Sequence, residues 1–388
     1  MTYAGHRRII DADSHLIELD DFLANAASDI DKPLIPSMLD QTELPVRQEG
    51  LDRGRELFAK RQMNPDIMAK FEASLMDNKN SGWNRLGAFD PAERSHTMNL
   101  FGFDYQLVLP TFSFHQVAHG NDPTVMEAGA RTLNKAFGEF CQVDKRLKAI
   151  GYVPLCLGPE VAADLIKQGL ADGCYSFMVD TNEPNEGARS FTHADFDCVW
   201  KLFADANVPF INHVAVNGHY KAVSPSFKNN GKSLLELGGD APAGELGLLT
   251  IGNSVQIFLS AMIFDGVFER HPNLRCISME HAASWLPSWL QTLDFTASSF
   301  KRHRKFSEKP SETVRNRIKV APFAGENIGW IIDQVGPDML VFASDYPHPE
   351  GTADPIAKFE ATMTQCDEAT MDAFYYGNMA KIMDLPAG

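Results

Sequence analysis

Eight short apolar runs, separated by amphipathic helices or long polar insertions, recur along the 388 residues of this chain. They read as strands at Arg8–Asp13, Tyr105–Pro110, Lys148–Pro154, Cys174–Asp180, Val208–Val216, Leu274–Met279, Ile318–Ala324 and Met339–Ser344. Helical periodicity fills Thr124–Val143, Pro159–Leu170, Ala194–Ala206, Ser254–Arg270, Ser284–Arg304 and Asn327–Val335, with closing helices at Pro355–Met363 and Ala369–Met383. Strand–helix alternation with right-handed crossovers predicts an α/β fold, a closed parallel (β/α)8 TIM barrel. An open doubly wound sheet is the alternative, but no glycine-rich phosphate turn follows the first strand.

Two intervals break the rhythm. Residues from about 20 to 100 are polar and helical, including Leu51–Lys79, and are too long for an ordinary βα loop. They read as an insertion over the barrel mouth after strand 1. A second insertion, 217–249 after strand 5, is rich in Gly, Ser, Pro and Asn and reads as a loop or flap. A barrel carrying such insertions accounts for residues 1–388 as one domain.

A formal net charge of −16 argues against nucleic acid and anionic membranes as partners, since both repel it. It leaves small anionic substrates open, because a bound cation reverses the field inside a pocket. No run reaches the roughly 20 apolar residues of a membrane span, and MTYAGHRRIIDAD has no apolar signal core, so a cytoplasmic protein is expected. None of the six cysteines forms a CxxC pair. They read as free thiols in a reducing compartment, with Cys156, Cys174, Cys198 and Cys276 in or near buried elements.

Four of the runs end in acidic or imidazole side chains: DADSH at Asp11–His15, INHVAV around His213, SMEHAAS around His281 and FASDYPH around Asp345. A parallel barrel gathers such strand ends at one mouth. Asp13 and His15 are two apart, so on a strand they face the same side and can grip one ion. Asp11 shares that parity but lies deeper, at the barrel floor. A carboxylate closing the apolar run MLVFAS, as Asp345 does, is costly unless paired or bound to a cation. Asp13, His15, His213, His281 and Asp345 together offer nitrogen and hard oxygen donors suited to Zn²⁺ or Mn²⁺. Strand four, CYSFMVD, has no Lys or Glu to bridge a second ion, so one metal is expected. Around the mouth, Glu18, His115, Trp285 and His348 are candidate substrate contacts, with Phe112, Phe114 and Phe323 as further lining.

IDADSHLIE, FDYQLVLPT, GVFERHPNLRCISMEHAASWLPSWL, VFASDYPHPEG and FYYGNMAKIMDL resemble the amidohydrolase superfamily, in the amidohydrolase-2 branch of aminocarboxymuconate-semialdehyde and γ-resorcylate decarboxylases. The resemblance spans nearly the whole chain. It implies one divalent ion, Zn²⁺ first and Mn²⁺ as the alternative, held by Asp13, His15, His213 and Asp345. It makes Asp345 and His281 catalytic, with His281 polarising substrate or shuttling a proton. Many members carry His where this chain has Asp13; an anionic ligand lowers the ion's Lewis acidity and favours Mn²⁺.

The same residues serve two reactions. The first expectation is hydrolysis of a C–C or acyl C–N/C–O bond in a small carboxylated or aromatic-derived substrate, through activated water. The alternative is non-oxidative decarboxylation of an aromatic or muconate-type acid. A catalytically degenerate barrel acting as a binding protein is the second alternative. The aromatic helix HAASWLPSWLQ, together with the resemblance, suggests a homodimer.

Overall fold

The computed structural model describes residues 2–40, 46–77, 81–118, 122–179, 188–214, 244–349 and 351–385. Seven parallel strands pair in chain order: β1 Ile10–His15, β2 Tyr105–Leu109, β3 Leu147–Val153, β4 Ser176–Val179, β5 Phe210–His213, β6 Cys276–Met279 and β7 Ile318–Val320. Nearly every strand residue is buried, as a sheet covered by helices outside and side chains inside requires. The helices do the covering. Pro123–Cys141, capped by the Asp122 side chain on Thr124 N, buries Leu133 and Phe137.

The eighth expected strand is present as an extended stretch, 339–346. Val320 N donates to Met339 O and Val341 N to Val320 O, at 3.0 and 3.1 Å, which joins the stretch to β7. Ala12 N donates to Phe342 O (3.0 Å), Asp345 N to Asp13 O (2.9 Å) and His15 N to Tyr346 O (2.7 Å), which joins it to β1. The barrel closes here without a regular ladder. Asp345 sits in the left-handed region at φ 55°, which breaks the run of extended residues, and among the described residues the stretch forms only isolated bridges, Ser14 with Tyr346 and Val320 with Leu340.

Several boundaries differ from the sequence reading. The helix expected over Ser254–Arg270 breaks into Asn253–Phe264 and Val267–Arg270 at Gly266, whose φ of 79° only glycine takes easily. The helix expected to Arg304 stops at Ser299, and the closing helix contains a π segment at Ala373–Gly377. Glu245–Phe264 is, against expectation, long and apolar enough for a membrane span. It is two helices interrupted at 250–252, and the second buries Val255, Leu259 and Met262 in the core. Of the insertion at 217–249, all but its final helix Gly244–Leu249 lies outside the described residues. Cys174 and Cys276 are buried as expected, but Cys156 and Cys198 are exposed at helix starts; none of the six cysteines is in a disulfide.

The first insertion is helical, with Gln48–Met63, Pro65–Ala73 and Pro91–Phe101. A buried ion pair holds its helices together. Arg61 Nε and Nη2 reach the Glu93 carboxylate at 2.5 and 2.6 Å, and Gly87 N donates to the same carboxylate at 2.6 Å. Both side chains are excluded from solvent. Removing one partner strands the other charge, so Glu93→Ala should destabilise the fold by about 3–5 kcal/mol. Urea unfolding checks this; a loss under about 1 kcal/mol, the range of an exposed pair, would contradict it.

Candidate active site

β1 and β5 end at the same level of the barrel, and their last side chains meet. Asp13 Oδ1 lies 3.3 Å from His15 Nε2 and 3.5 Å from His213 Nε2. Asp345, on the closing stretch, places Oδ1 3.8 Å from His15 Nε2. One ligand atom each from Asp13, His15 and His213 falls within 4.8 Å of the others, and the same holds for His15, Asp345 and His348.

The hydrogen bonds behind these rings set their tautomers. His15 Nδ1 lies 3.2 Å from the carbonyl of Pro110, and His213 Nδ1 lies 2.7 Å from that of Val214. A carbonyl only accepts, so each Nδ1 carries the hydrogen and each Nε2 presents a lone pair to the cluster. Asp13 Oδ1 and His15 Nε2 are buried and have no hydrogen-bond partner among the described residues. Burial opposes ionisation of Asp13, but positive charge on His213 and His15 outweighs it and holds the carboxyl well below the usual carboxylate range, a pull that a cation in place of the two ring protons would exert. An ionised carboxylate facing two imidazole lone pairs in a dry site is a donor set for a divalent cation.

His281 stands beside this set. It follows β6 between two left-handed residues, Glu280 at φ 55° and Ala282 at φ 57°, in a turn that re-aims the side chain. Nδ1 lies 3.2 Å from Ser278 Oγ, and the buried Nε2 has no hydrogen-bond partner among the described residues. Burial first, then the neighbouring His213, push its imidazole down to about 3, so it is neutral at ordinary pH. Trp285 Nε1 braces the turn by donating to the carbonyls of His281 and Ala282, at 2.8 and 2.9 Å. The Glu326 carboxylate holds its far side, accepting from Ala283 N, Ser284 N and Ser284 Oγ.

Not every expected contact has the expected job. Glu18 is fully buried, and its carboxylate accepts from Thr111 N, Phe112 N and Ser113 Oγ at the start of helix Phe112–Ala118. It ties β1 to that helix and is spoken for as a substrate contact. Trp285 likewise uses its one polar atom on the backbone. His348 lies buried against the cluster, not in a loop over it: its ring stacks on His15 at 3.8 Å, Nδ1 lies 2.9 Å from Asp345 Oδ1, and Nε2 lies 2.8 Å from Thr111 Oγ1. His115 is half-buried on the 112–118 helix, edge-on to Phe114. Phe112 stacks on Trp83, and Phe114 packs against Tyr152. Asp11 is at the floor as expected, accepting from Gln106 Nε2, Ser344 N and Ser344 Oγ, with burial raising its carboxyl to about 6.

Three neighbours escaped the sequence reading. Glu280 places Oε2 3.6 Å from His213 Nε2, and the SMEH run displays it beside the histidine. Thr111 closes the LVLPT run and touches both His15 and His348. Arg85 is buried with its guanidinium 4.9 Å from the Tyr346 ring; burial lowers its pKa, against the pull of Tyr346 and Asp345. Nothing in the local sequence marks Arg85, which comes from the insertion.

The amidohydrolase family model matches residues 10–385. Among solved structures, an amidohydrolase from Mycobacterium avium subsp. paratuberculosis superposes with a TM-score of 0.72 at 20% identity, covering 97% of this chain and 98% of that one. A 5-carboxyvanillate decarboxylase from Novosphingobium aromaticivorans, complexed with manganese and 4-hydroxy-3-methoxy-5-nitrobenzoic acid, gives 0.64 at 18% identity, covering 98% and 97%. A 2,6-dihydroxybenzoate decarboxylase from Rhizobium gives 0.62 at 15% identity, covering 98% and 100%. These likenesses extend over whole chains and carry the barrel with its helical shell. With its family match running from β1 to the closing helix, the chain belongs to the amidohydrolase family.

Proposed function

We propose that this chain is a metal-dependent, non-oxidative decarboxylase of a hydroxylated aromatic carboxylic acid. The observation that carries the reading is the pairing of a cation-ready cluster (Asp13, His15, His213, Asp345) with a neighbouring His281 held neutral. Decarboxylation needs a fixed anion site, a neutral hydrogen-bonding group and one proton donor. Hydrolysis, the first expectation from the sequence, also needs an acid for the leaving group, and an imidazole titrating near 3 supplies that poorly. The decarboxylases of similar fold support the same choice.

A single divalent ion held by Asp13, His15, His213 and Asp345 would neutralise the substrate's carboxylate and an adjacent ring oxygen. The two carboxylates in this set and the manganese in the Novosphingobium enzyme favour Mn²⁺ over Zn²⁺. Asp345, as its carboxylic acid, gives a proton to the ring carbon that bears the carboxylate. The carbon–carbon bond then breaks, CO₂ leaves, its bonding pair restores the aromatic ring, and solvent returns a proton to Asp345. His281, whose buried Nε2 has no hydrogen-bond partner among the described residues, would orient a substrate hydroxyl. Arg85, buried and electrostatically coupled to Asp345, would supply positive charge behind that carboxylate in a chain that is otherwise strongly acidic.

Incubating the Mn²⁺ form with ortho-hydroxybenzoic acids in ¹⁸O-water should release CO₂ and leave the aromatic product without label from solvent. Asp345→Asn should lower kcat by about 10²–10⁴-fold. Solvent oxygen bonded into the product of a cleaved acyl or C–C bond would return the reading to hydrolysis. Because His281 stays neutral down to about pH 3, His281→Asn should reduce kcat without moving the kcat/KM profile between pH 5 and 9. A limb that disappears with His281 would show that it titrates in turnover.

A further inference from the structure

We propose that Arg94, on the insertion helix Pro91–Phe101, is a positioning residue that fixes the backbone around Asp345 through a buried hydrogen-bond chain of Gln106, Asp11 and Ser344. The inference rests on the role assigned to Asp345 above and adds what holds that residue in place. A guanidinium only donates, so the Gln106 side-chain atom that Arg94 Nε meets at 3.1 Å is the oxygen, Oε1. The amide nitrogen of Gln106 is left facing Asp11, where Nε2 donates to Oδ2 at 2.8 Å. The opposite amide orientation would set N–H against guanidinium and carbonyl against carboxylate. Among the described residues, every hydrogen bond on the Asp11 carboxylate comes from a donor: Gln106 Nε2, Ser344 Oγ at 2.6 Å, Ser344 N at 2.9 Å and Asp13 N at 3.4 Å. With its proton committed to Asp11, Ser344 Oγ is left to accept, and Tyr346 N donates to it at 3.1 Å.

The chain therefore ends on both neighbours of Asp345. Between them Asp345 keeps a φ of 55°, a conformation that a residue with a side chain holds only when its surroundings impose it. Arg94 reaches the same region by two other routes. Its Nη2 donates at 3.0 Å to Ser14 Oγ, whose own proton goes to Leu107 O, and its guanidinium lies 5.4 Å from the Tyr346 ring. Arg94, Gln106, Asp11 and Ser344 are all buried, with opposite charges at the two ends of one neutral amide. Away from water such a chain has few competing partners, so each link fixes the next. Its outer end is tied into the insertion, where Arg94 Nη1 donates to the carbonyl of Gly87 and Gly87 N donates to the Glu93 carboxylate.

Amide hydrogen exchange in metal-free protein, followed by NMR, reads the chain without metal or substrate. Arg94→Met should speed exchange at Ser344, Asp345 and Tyr346 by about 10–100-fold. Val341 and Phe342, whose N–H groups bond to Val320 O and Phe374 O, should exchange as in wild type. Gln106→Glu leaves Arg94 an acceptor but replaces the N–H on Asp11 with a second carboxylate oxygen; it should give the same pattern and keeps the test open should Arg94→Met fail to fold. In Mn²⁺ titrations followed by EPR, either variant should bind about 10–100-fold more weakly than wild type, and the double variant no more weakly than the worse single one, since both cut one chain. Unchanged exchange at 344–346, a rise shared equally by Val341 and Phe342, or wild-type Mn²⁺ affinity in both variants would overturn the proposal. Failure of wild type to bind Mn²⁺ would instead defeat the metal reading, with the exchange pattern still deciding this one.

Discussion

The seam between β1 and the closing stretch is the constraint on which the site depends. Asp345 N donates to Asp13 O, and the Asp11 carboxylate beneath grips the backbone and hydroxyl of Ser344. Those bonds set the last stretch of the barrel against the first, 333 residues away in sequence from Asp11 to Ser344, at the one register that puts Asp345 opposite His15. A one-residue slip would turn Asp345 away from the barrel mouth. The polar residues of β1 are buried in what would otherwise be an apolar strand, and each has a defined task. Asp11 holds the seam, Ser14 donates to Leu107 O across to β2, and Asp13 and His15 face the cluster.

Above the seam, carbonyls and side chains behind the cluster aim its atoms. Pro110 O and Val214 O turn the Nε2 lone pairs of His15 and His213 inward, and burial, with His213 alongside, keeps the third imidazole, His281, neutral beside them. Such preorganisation places ligand and proton-handling groups before substrate arrives, so less of the binding energy is needed for ordering them. The helical insertion contributes the buried Arg85, whose charge acts on Asp345, and is itself held together by Arg61 and Glu93.

Strand and helix periodicity made the barrel legible, because buried parallel strands are continuous apolar runs and amphipathic helices repeat at 3.6 residues. The strand-end positions of Asp13, His15, His213 and Asp345 were legible for the same reason: a polar side chain at the end of such a run needs a partner. What local sequence could not display was three-dimensional pairing. Glu18 looked like a rim carboxylate, but the 112–118 helix start, nearly a hundred residues on, consumes both its oxygens. His348 looked like a loop residue until the closing stretch folded it beneath Asp345. Arg85 and Thr111 join the site only through tertiary placement, and the left-handed turns at Glu280 and Asp345 carry no glycine to announce them.

The cluster at the ends of β1, β5 and the closing stretch is proposed to hold one divalent cation. Anomalous diffraction at the manganese edge, from crystals grown with Mn²⁺, tests it most directly. One peak per chain is expected, bonded to Asp13, His15, His213 and Asp345. A peak elsewhere, or none at the ends of these strands, would contradict it.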